Sequence, residues 1–378
     1  MSTPDGLAVV PVASRATHRA FWELPFALYR DDPHWVAPLR TVERARWDPT
    51  RNASLRRRRA WRFVAQRGGR VVGRVAAVAD QEFAARWEPG TGFFGFFECE
   101  DDPATARALL AAAERALREA GLTRAIGPVN LSTQDEAGLL VDGFGSRPML
   151  LSPYNPPYYA RLLRDAGYAP WRDSHAFRWT PDARPAPAVE RLQRRLAGQV
   201  SGGVRLRASE PRYWDAELRE LHALYNDCFA DVWGFVPLAW EEFAERAGEF
   251  RRFYRPELAV FADWGGRPAG FGLALPDVNE ALQSVRGRLW PLGWLRLVRD
   301  VPRIHTARLI LLGVRPEFRG RGIAALIANQ IAEAGRRLGL REAELSLVFD
   351  SNREIRHVIA AFGGTPVKTY RLYHKAAL

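Results

Sequence analysis

Apolar and polar positions alternate through much of this chain, and the alternation comes in two similar sets. In the first, Arg62-Phe63-Val64-Ala65-Gln66-Arg67 and Val71-Val72-Gly73-Arg74-Val75-Ala76-Ala77-Val78 flank Gly68-Gly69. Two alternating runs around a two-glycine turn predict a β-hairpin. In the second, Leu258–Ala262 and Ala269–Ala274 flank Gly265-Gly266-Arg267 in the same way. Each hairpin is followed by a strand, then by a helix-period segment closed by glycine (Ala104–Ala120 before Gly121; Ala324–Leu338 before Gly339), then by another strand. An asparagine, Asn155 or Asn352, then precedes a final helix and strand. Such internal repetition predicts two copies of one α/β unit. The proline-rich stretch Pro181–Pro187 is the best linker, giving domains at 1–180 and 201–378 with 181–200 between them.

One stretch breaks the symmetry between the copies. Ala307–Ala324, ARLILLGVRPEFRGRGIA, runs from a buried-strand pattern (Leu309–Val314) through Pro316 and a glycine-rich basic loop into a helix. A strand feeding such a loop aims free backbone N–H groups and the positive end of a helix dipole at one point. Glycine removes the Cβ that would hinder close approach, and Arg319 and Arg321 add charged donors. The arrangement suits a phosphate; an ordinary turn with two solvated arginines is the competing reading. At the matching place the first copy carries Cys99-Glu100-Asp101-Asp102-Pro103, which would repel a pyrophosphate.

Composition narrows the classes. The 378 residues suffice for two or three domains, and 13 Trp with 20 Phe indicate a packed globular chain. The net charge is +12, and all but two (Lys368 and Lys375) of its 55 basic residues are arginine. That excess favours anionic partners such as phosphorylated cofactors or anionic lipid. The arginines are scattered, with no nucleic-acid recognition motif beside them, so no nucleic acid is expected. Cys99 and Cys228 stand far apart without ligand spacing, so neither a disulfide framework nor a metal site is suggested. No signal-peptide pattern and no long uncharged apolar run is present, so a cytoplasmic protein is expected, with contact at the inner face of the membrane as a further expectation.

The series Val314, Pro316, Arg319, Gly320, Gly322, Ile323, Ala324 and, further on, Asn352 resembles the GNAT acyltransferase family. The resemblance implies two tandem α/β units with mixed, mostly antiparallel sheets and flanking helices, the N-terminal one degenerate and the C-terminal one cofactor-binding. It also implies acyl-CoA as co-substrate. Leu312, Gly313 and Val314 would hold the pantetheine arm through backbone bonds. Arg319, Gly320, Arg321, Gly322, Ile323 and Ala324 would hold the pyrophosphate, with Asn352 beside the thioester arm. The family's tyrosine acid is replaced by Ile359, and no carboxylate base stands on Leu309–Val314. Asp350 and Tyr370, with Tyr373 and His374 behind them, are substitutes by type and rough position for catalysis.

The substrate cleft is expected to draw on Tyr154, Asn155, Glu136 and Tyr158 from the first copy. From the second it would take Tyr225, Trp233 and Phe235 in an aromatic loop, and Trp294 in the insertion Asp277–Arg308. The segment Leu289–Arg299 has the make-up of an interfacial element or of a gate to an apolar channel. Together with Asp31–Val36, Gly92–Glu98 and Tyr154–Tyr159, the whole chain resembles a tandem-GNAT group that includes bacterial ceramide synthases. The favoured reaction is N-acylation of a long-chain amine by acyl-CoA or an acyl-carrier thioester. Acetyl transfer to a small molecule or protein, and non-catalytic acyl-CoA binding, stay open as alternatives.

Overall fold

The computed structural model describes residues 6–183, 185–187, 191, 194 and 203–378. Most of the expected linker at 181–200 therefore lies outside the described residues. The chain divides into two compact units. The first comprises residues up to Ser174, Arg286–Arg288 and Lys368–Leu378; the second comprises His175–Val285 and Leu289–Val367. This differs from a simple sequential division, because the final residues return to the first unit.

In chain order the first half holds β1 (Leu7–Pro11), α1 (Arg15–Leu28), α2 (Arg40–Ala45), α3 (Ala53–Arg57), β2 (Arg59–Arg67), β3 (Arg70–Ala79), α4 (Gln81–Arg86), β4 (Thr91–Cys99), α5 (Pro103–Glu119), β5 (Arg124–Gly127), β6 (Leu139–Asp142), α6 (Tyr159–Asp165) and β7 (Ala169–Trp179). The second holds β8 (Val204–Ala208), α7 (Trp214–Phe229), α8 (Trp240–Phe250), β9 (Ala259–Trp264), β10 (Arg267–Pro276), α9 (Asn279–Leu282), α10 (Gly293–Asp300), β11 (Thr306–Val314), α11 (Ile323–Arg337), β12 (Glu342–Phe349), α12 (Arg353–Ala361) and β13 (Thr365–Lys375).

The sheet of the first unit runs β1-β2-β3-β4-β5-β13, with β6 also on β13; that of the second runs β12-β11-β10-β9-β8. The pairings are antiparallel except β4 with β5 and β11 with β12, each of which brackets a helix. Both hairpins turn on two glycines with positive φ, 56° and 80° at Gly68-Gly69 and 56° and 79° at Gly265-Gly266. That geometry excludes most L side chains and explains why both copies carry glycine there. Helix α5 buries Leu109, Leu110, Ala113 and Leu117 on its sheet, and α11 buries Ile323, Ile327, Ile331 and Ala334 at helical spacing on its own.

Near the N-terminus the aromatic, proline-broken segment predicts only a short helix, yet α1 runs through Pro25. Proline has no N–H to give Phe21, four residues back. The stranded Phe21 carbonyl instead accepts from Arg74 Nη1 on β3 at 2.8 Å.

The acidic run at the start of α5 has a structural role. Asp102 is the N-cap: its carboxylate accepts from the Ala104 and Thr105 N–H groups at 3.2 and 3.1 Å and from Arg67 Nη2 at 2.7 Å. Partial burial works to raise its pKa, but the Thr105 hydroxyl, Arg67 and the two N–H groups outweigh it and hold the pKa down at about 2. A depressed carboxylate stabilises the fold above its unfolded pKa and stops doing so as pH falls through the folded value. Asp102→Ala is therefore expected to cost about 1 kcal/mol at neutral pH. The gap between wild-type and variant denaturation midpoints should close as pH falls toward 2; a gap that persists there would assign the effect to something other than the carboxylate.

Candidate active site

Strands β11 and β12 are parallel neighbours for only part of their length. The ladder runs from Thr306↔Glu342 to Leu309↔Leu345 and stops, while β11 continues to Val314 and β12 to Phe349. The strands part at Ile310, where the β10–β11 register also slips by one residue. A bulge bends its strand locally, which is what a split here requires. Beyond Leu309 the other edge of β11 stays paired, from Leu311↔Leu273 to Val314↔Gly270. The edge of β11 toward β12 thus offers backbone groups to an extended ligand lying in the split.

The split opens into a cleft of about 140 Å³. Its walls come mainly from β11 (Leu309, Ile310, Leu312), β12 (Leu345 to Val348), α11 (Ala328, Ile331, Ala332, Gly335) and α12 (Ile355, Val358, Ile359), with Phe229 and Trp179 among the other lining residues. The lining is apolar but for Ser346, Asn352 and the indole of Trp179. The cleft also extends over Ala307, Leu309, Ala343 and Leu345, whose strands are paired to each other. That part offers side-chain surface without free backbone, a place for a chain of methylenes and not for an amide.

At the open end of the split stands the glycine loop. Gly320 and Gly322 have φ of 74° and 79°, and Gly322 is the residue before α11. A Cβ on Gly320 would meet nothing within 4 Å, so that glycine serves the turn and leaves open space above it. Among the described residues no side chain caps α11, and its first N–H groups have no partner within the helix. Ile323 is buried and fixes the start of the helix on the core. Helix α5 supplies its own carboxylate at its N-terminus, whereas α11 presents bare donors.

Arg319 ties the loop down, donating from Nη2 to the Cys228 carbonyl at 2.9 Å and from Nε to the Val314 carbonyl at 3.3 Å. Arg321 lies over the Trp264 ring, 4.7 Å from its centroid. Asn352 is the N-cap of α12, accepting from the Ile355 N–H at 3.3 Å, and also lines the cleft. Gly313 faces away from the cleft: a Cβ there would meet Cys228 Cβ at 2.8 Å, so the glycine lets α7 pack closely on β11. Burial pushes the Cys228 thiol up to about 12, and a thiol so buried and so weakly acidic is no nucleophile at neutral pH.

At the root of the split a buried polar chain crosses the two strands. Arg308 Nε donates to Ser346 Oγ at 2.9 Å, and Ser346 Oγ donates to Glu344 Oε1 at 2.6 Å. All three residues are buried, and Ser346 lines the cleft. A hydroxyl oxygen has two lone pairs, so Ser346 keeps one for a donor arriving in the cleft. None of the three was a candidate from the sequence.

The expected catalytic substitutes lie elsewhere. Asp350 is exposed past the end of β12, 2.9 Å from His175 Nε2 and 2.8 Å from Arg356 Nη1, and does not line the cleft. Tyr370 belongs to the first unit, fully buried on β13 opposite Leu140. Tyr225 and Phe235 are packed in an aromatic core with Phe229 and Phe243. Phe229, one turn on from Tyr225, is the member of that cluster that lines the cleft. Trp233 meets Phe349 edge-on at 5.5 Å, beside the open end of β12, and Trp294 stands exposed on α10.

The four residues expected from the first unit have local partners, Tyr158 donating to the Cys99 carbonyl at 2.8 Å. Asn155 is buried and clips Leu140 through its N–H and carbonyl at 2.7 and 3.1 Å. Glu136 accepts from both terminal nitrogens of Arg46 at 3.2 Å and from Asn130 at 2.8 Å. Burial favours its neutral form, but Arg46 and then Asn130 outweigh this and keep the pKa below the usual range. Tyr154 donates to Asp32 at 2.8 Å; burial first, then that bond, raises its pKa and keeps it a neutral donor.

Residues 218–363 match the model of the Acetyltransferase (GNAT) family. Over the whole length, the chain is 35% identical to a bacterial ceramide synthase of Caulobacter vibrioides, covering 99% of each. It is 32% identical to Protein YghO of Escherichia coli, covering 94% of this chain and 92% of that one. Among solved structures, a tandem GNAT protein from the clavulanic acid biosynthesis pathway is similar over 98% of both chains, with 16% identity and a TM-score of 0.55. A GCN5-related N-acetyltransferase from Sphaerobacter thermophilus has the same TM-score at 15% identity, covering 98% of this chain and 96% of that one. These two similarities concern the fold.

Proposed function

We propose, for a chain that belongs to the GNAT family and within it to the tandem group that includes bacterial ceramide synthases, that it transfers a long-chain acyl group from coenzyme A to a long-chain amine, giving a ceramide-like amide. The observation that carries this reading is the apolar cleft continuing past the split of β11 and β12. The pyrophosphate would sit on the N–H groups at the start of α11, with Arg319 and Arg321 beside it. The pantetheine arm would lie along Ile310–Val314, and the acyl chain would occupy the space over the paired part of the strands. A tetrahedral oxyanion would be stabilised by a backbone N–H on the free edge of β11.

The acceptor attacks as a neutral amine, forming the C–N bond and the tetrahedral oxyanion, whose collapse breaks the C–S bond and releases thiolate. Ser346 would accept a proton from the amine while passing its own to Glu344, with Arg308 holding the hydroxyl in place. The departing thiolate is protonated from solvent in this scheme, since among the described residues no tyrosine lines the cleft. Two long-chain substrates are expected to meet at a bilayer surface.

Incubation of the protein with sphinganine and either palmitoyl-CoA or acetyl-CoA tests the substrate class. Thiol release is expected with palmitoyl-CoA; release with acetyl-CoA alone would replace this reading by small-group acetyl transfer. Ala332→Phe, which fills the cleft, is expected to lower the ratio of palmitoyl to hexanoyl turnover by about tenfold or more, on the order of two lost methylenes of burial. An unchanged ratio would remove the acyl chain from this cleft.

A further inference from the structure

Helix α10 leaves most of its large apolar side chains in solvent. Only Gly293, Leu297 and Asp300 of it are half-buried, and its contacts with the turn before it are polar: Arg296 Nη1 donates to the Ser284 carbonyl at 3.0 Å, and the Ser284 hydroxyl donates to Asp300 Oδ2 at 3.1 Å. Asp300 is also held by Arg299 at 2.7 Å. No residue of α10 is buried. Its outward side carries Trp294, Leu295 and Val298, and Trp290 and Leu292 precede it. These five are the majority of the nine exposed large hydrophobic residues among those described, with Trp290 at 82% and Val298 at 67% exposure. Helices normally turn such a face to the core, and a clustered exposed apolar patch marks a surface that meets something apolar.

We infer that α10 and the Trp290–Leu292 turn before it form a docking element for an anionic lipid bilayer. Charge selects this occupant. Between positions 289 and 303 the sequence has arginine at 296, 299 and 303 against the single aspartate at 300. A second copy of the chain meeting this patch about a two-fold axis would bring like charges together. Anionic headgroups would instead complement them. Tryptophan favours the headgroup level, where its ring is half in an apolar medium and its N–H stays hydrated. The element lies on the surface of the bilayer without entering deeply, since no described helix is long and apolar enough to cross a membrane. This inference does not depend on the identity of the substrates.

The test uses the full chain and vesicles of phosphatidylcholine with or without phosphatidylglycerol, read by sedimentation and by the tryptophan emission wavelength. The wild type is expected to sediment with the phosphatidylglycerol vesicles, to shift its emission to the blue, and to release in high salt. Trp290→Ala, Trp294→Ala and Val298→Ser combined are expected to lower the partition coefficient by about tenfold or more, given the apolar area removed. All three side chains are exposed, so circular dichroism and melting temperature should not change. Absence of wild-type binding, or equal binding by the triple variant, overturns the proposal. Loss of self-association in the triple variant with no vesicle binding by either protein also overturns it, and assigns the patch to a second copy. Vesicle binding without any acyl transfer would leave this inference standing while removing the reaction proposed above.

Discussion

Replacing Arg319 and Arg321 together by glutamate is expected to lower kcat/KM for acyl-CoA by about two orders of magnitude or more. At the bare N-terminus of α11, backbone donors and the helix dipole already favour an anion. Each arginine adds a charge-assisted interaction of roughly 1.5 kcal/mol, and about 1.4 kcal/mol is tenfold in rate or affinity. Reversing both charges removes that gain and adds repulsion. The loss should appear mainly as a raised KM, because a pyrophosphate is bound equally in the ground and transition states. Arg319 also anchors the loop to the Val314 and Cys228 carbonyls, so part of its effect will be geometric. The double lysine variant separates the two contributions: it keeps the charge and should recover most of the activity. Unchanged kcat/KM in the glutamate variant would place the cofactor elsewhere.

Glu344→Gln is expected to act on the other kinetic constant. If Glu344 receives the proton relayed by Ser346, the variant should lose about a hundredfold in kcat, within the range for a positioned acid–base group. The KM for acyl-CoA should move little, since the amide keeps the size of the carboxylate. Ser346→Ala should resemble it, and the double variant should be no worse than either single one, as for residues acting in one chain. Raising the pH should partly restore turnover by supplying neutral amine without the relay. A fall in melting temperature at unchanged kcat would make Arg308, Ser346 and Glu344 a structural network only.

The glycine loop proposed to hold the cofactor, and the strand before it, were legible in the sequence as local structure, because local chemistry encodes them. The φ values at Gly320 and Gly322 demand glycine, the strand before them demands an apolar run, and Asn352 is a strong helix cap wherever it falls. The hairpins were legible for the same reason. The acceptor side was not. Tyr225 and Phe235 are aromatic residues on a poorly regular segment, and nothing local distinguishes an aromatic core from an aromatic lining. Tyr370 was chosen by residue type, but only the topology reveals that it belongs to the first unit. The polar chain at the split was hidden differently. Glu342–Phe349 alternates polar and apolar in the manner of a strand with one wet face, whereas Glu344 and Ser346 on that face are buried. The signal available was Arg308, a charge beside an apolar run, which finds its partner only when β12 lies alongside β11.

Residues 368–378 belong to the first unit, and Tyr373–Lys375 of β13 pair with Gly127, Ile126 and Ala125 of β5. On the ribosome this strand emerges after the whole of the second unit. At about 5–20 residues per second, synthesis of the intervening stretch takes roughly ten to forty seconds. Throughout that time β5 presents an open edge, and the second unit is free to finish first. The order of completion is then the reverse of the order of synthesis. A chain truncated before residue 368 would keep every residue of the second unit and leave the first unfinished, its open edge exposed to proteases and holding chaperones.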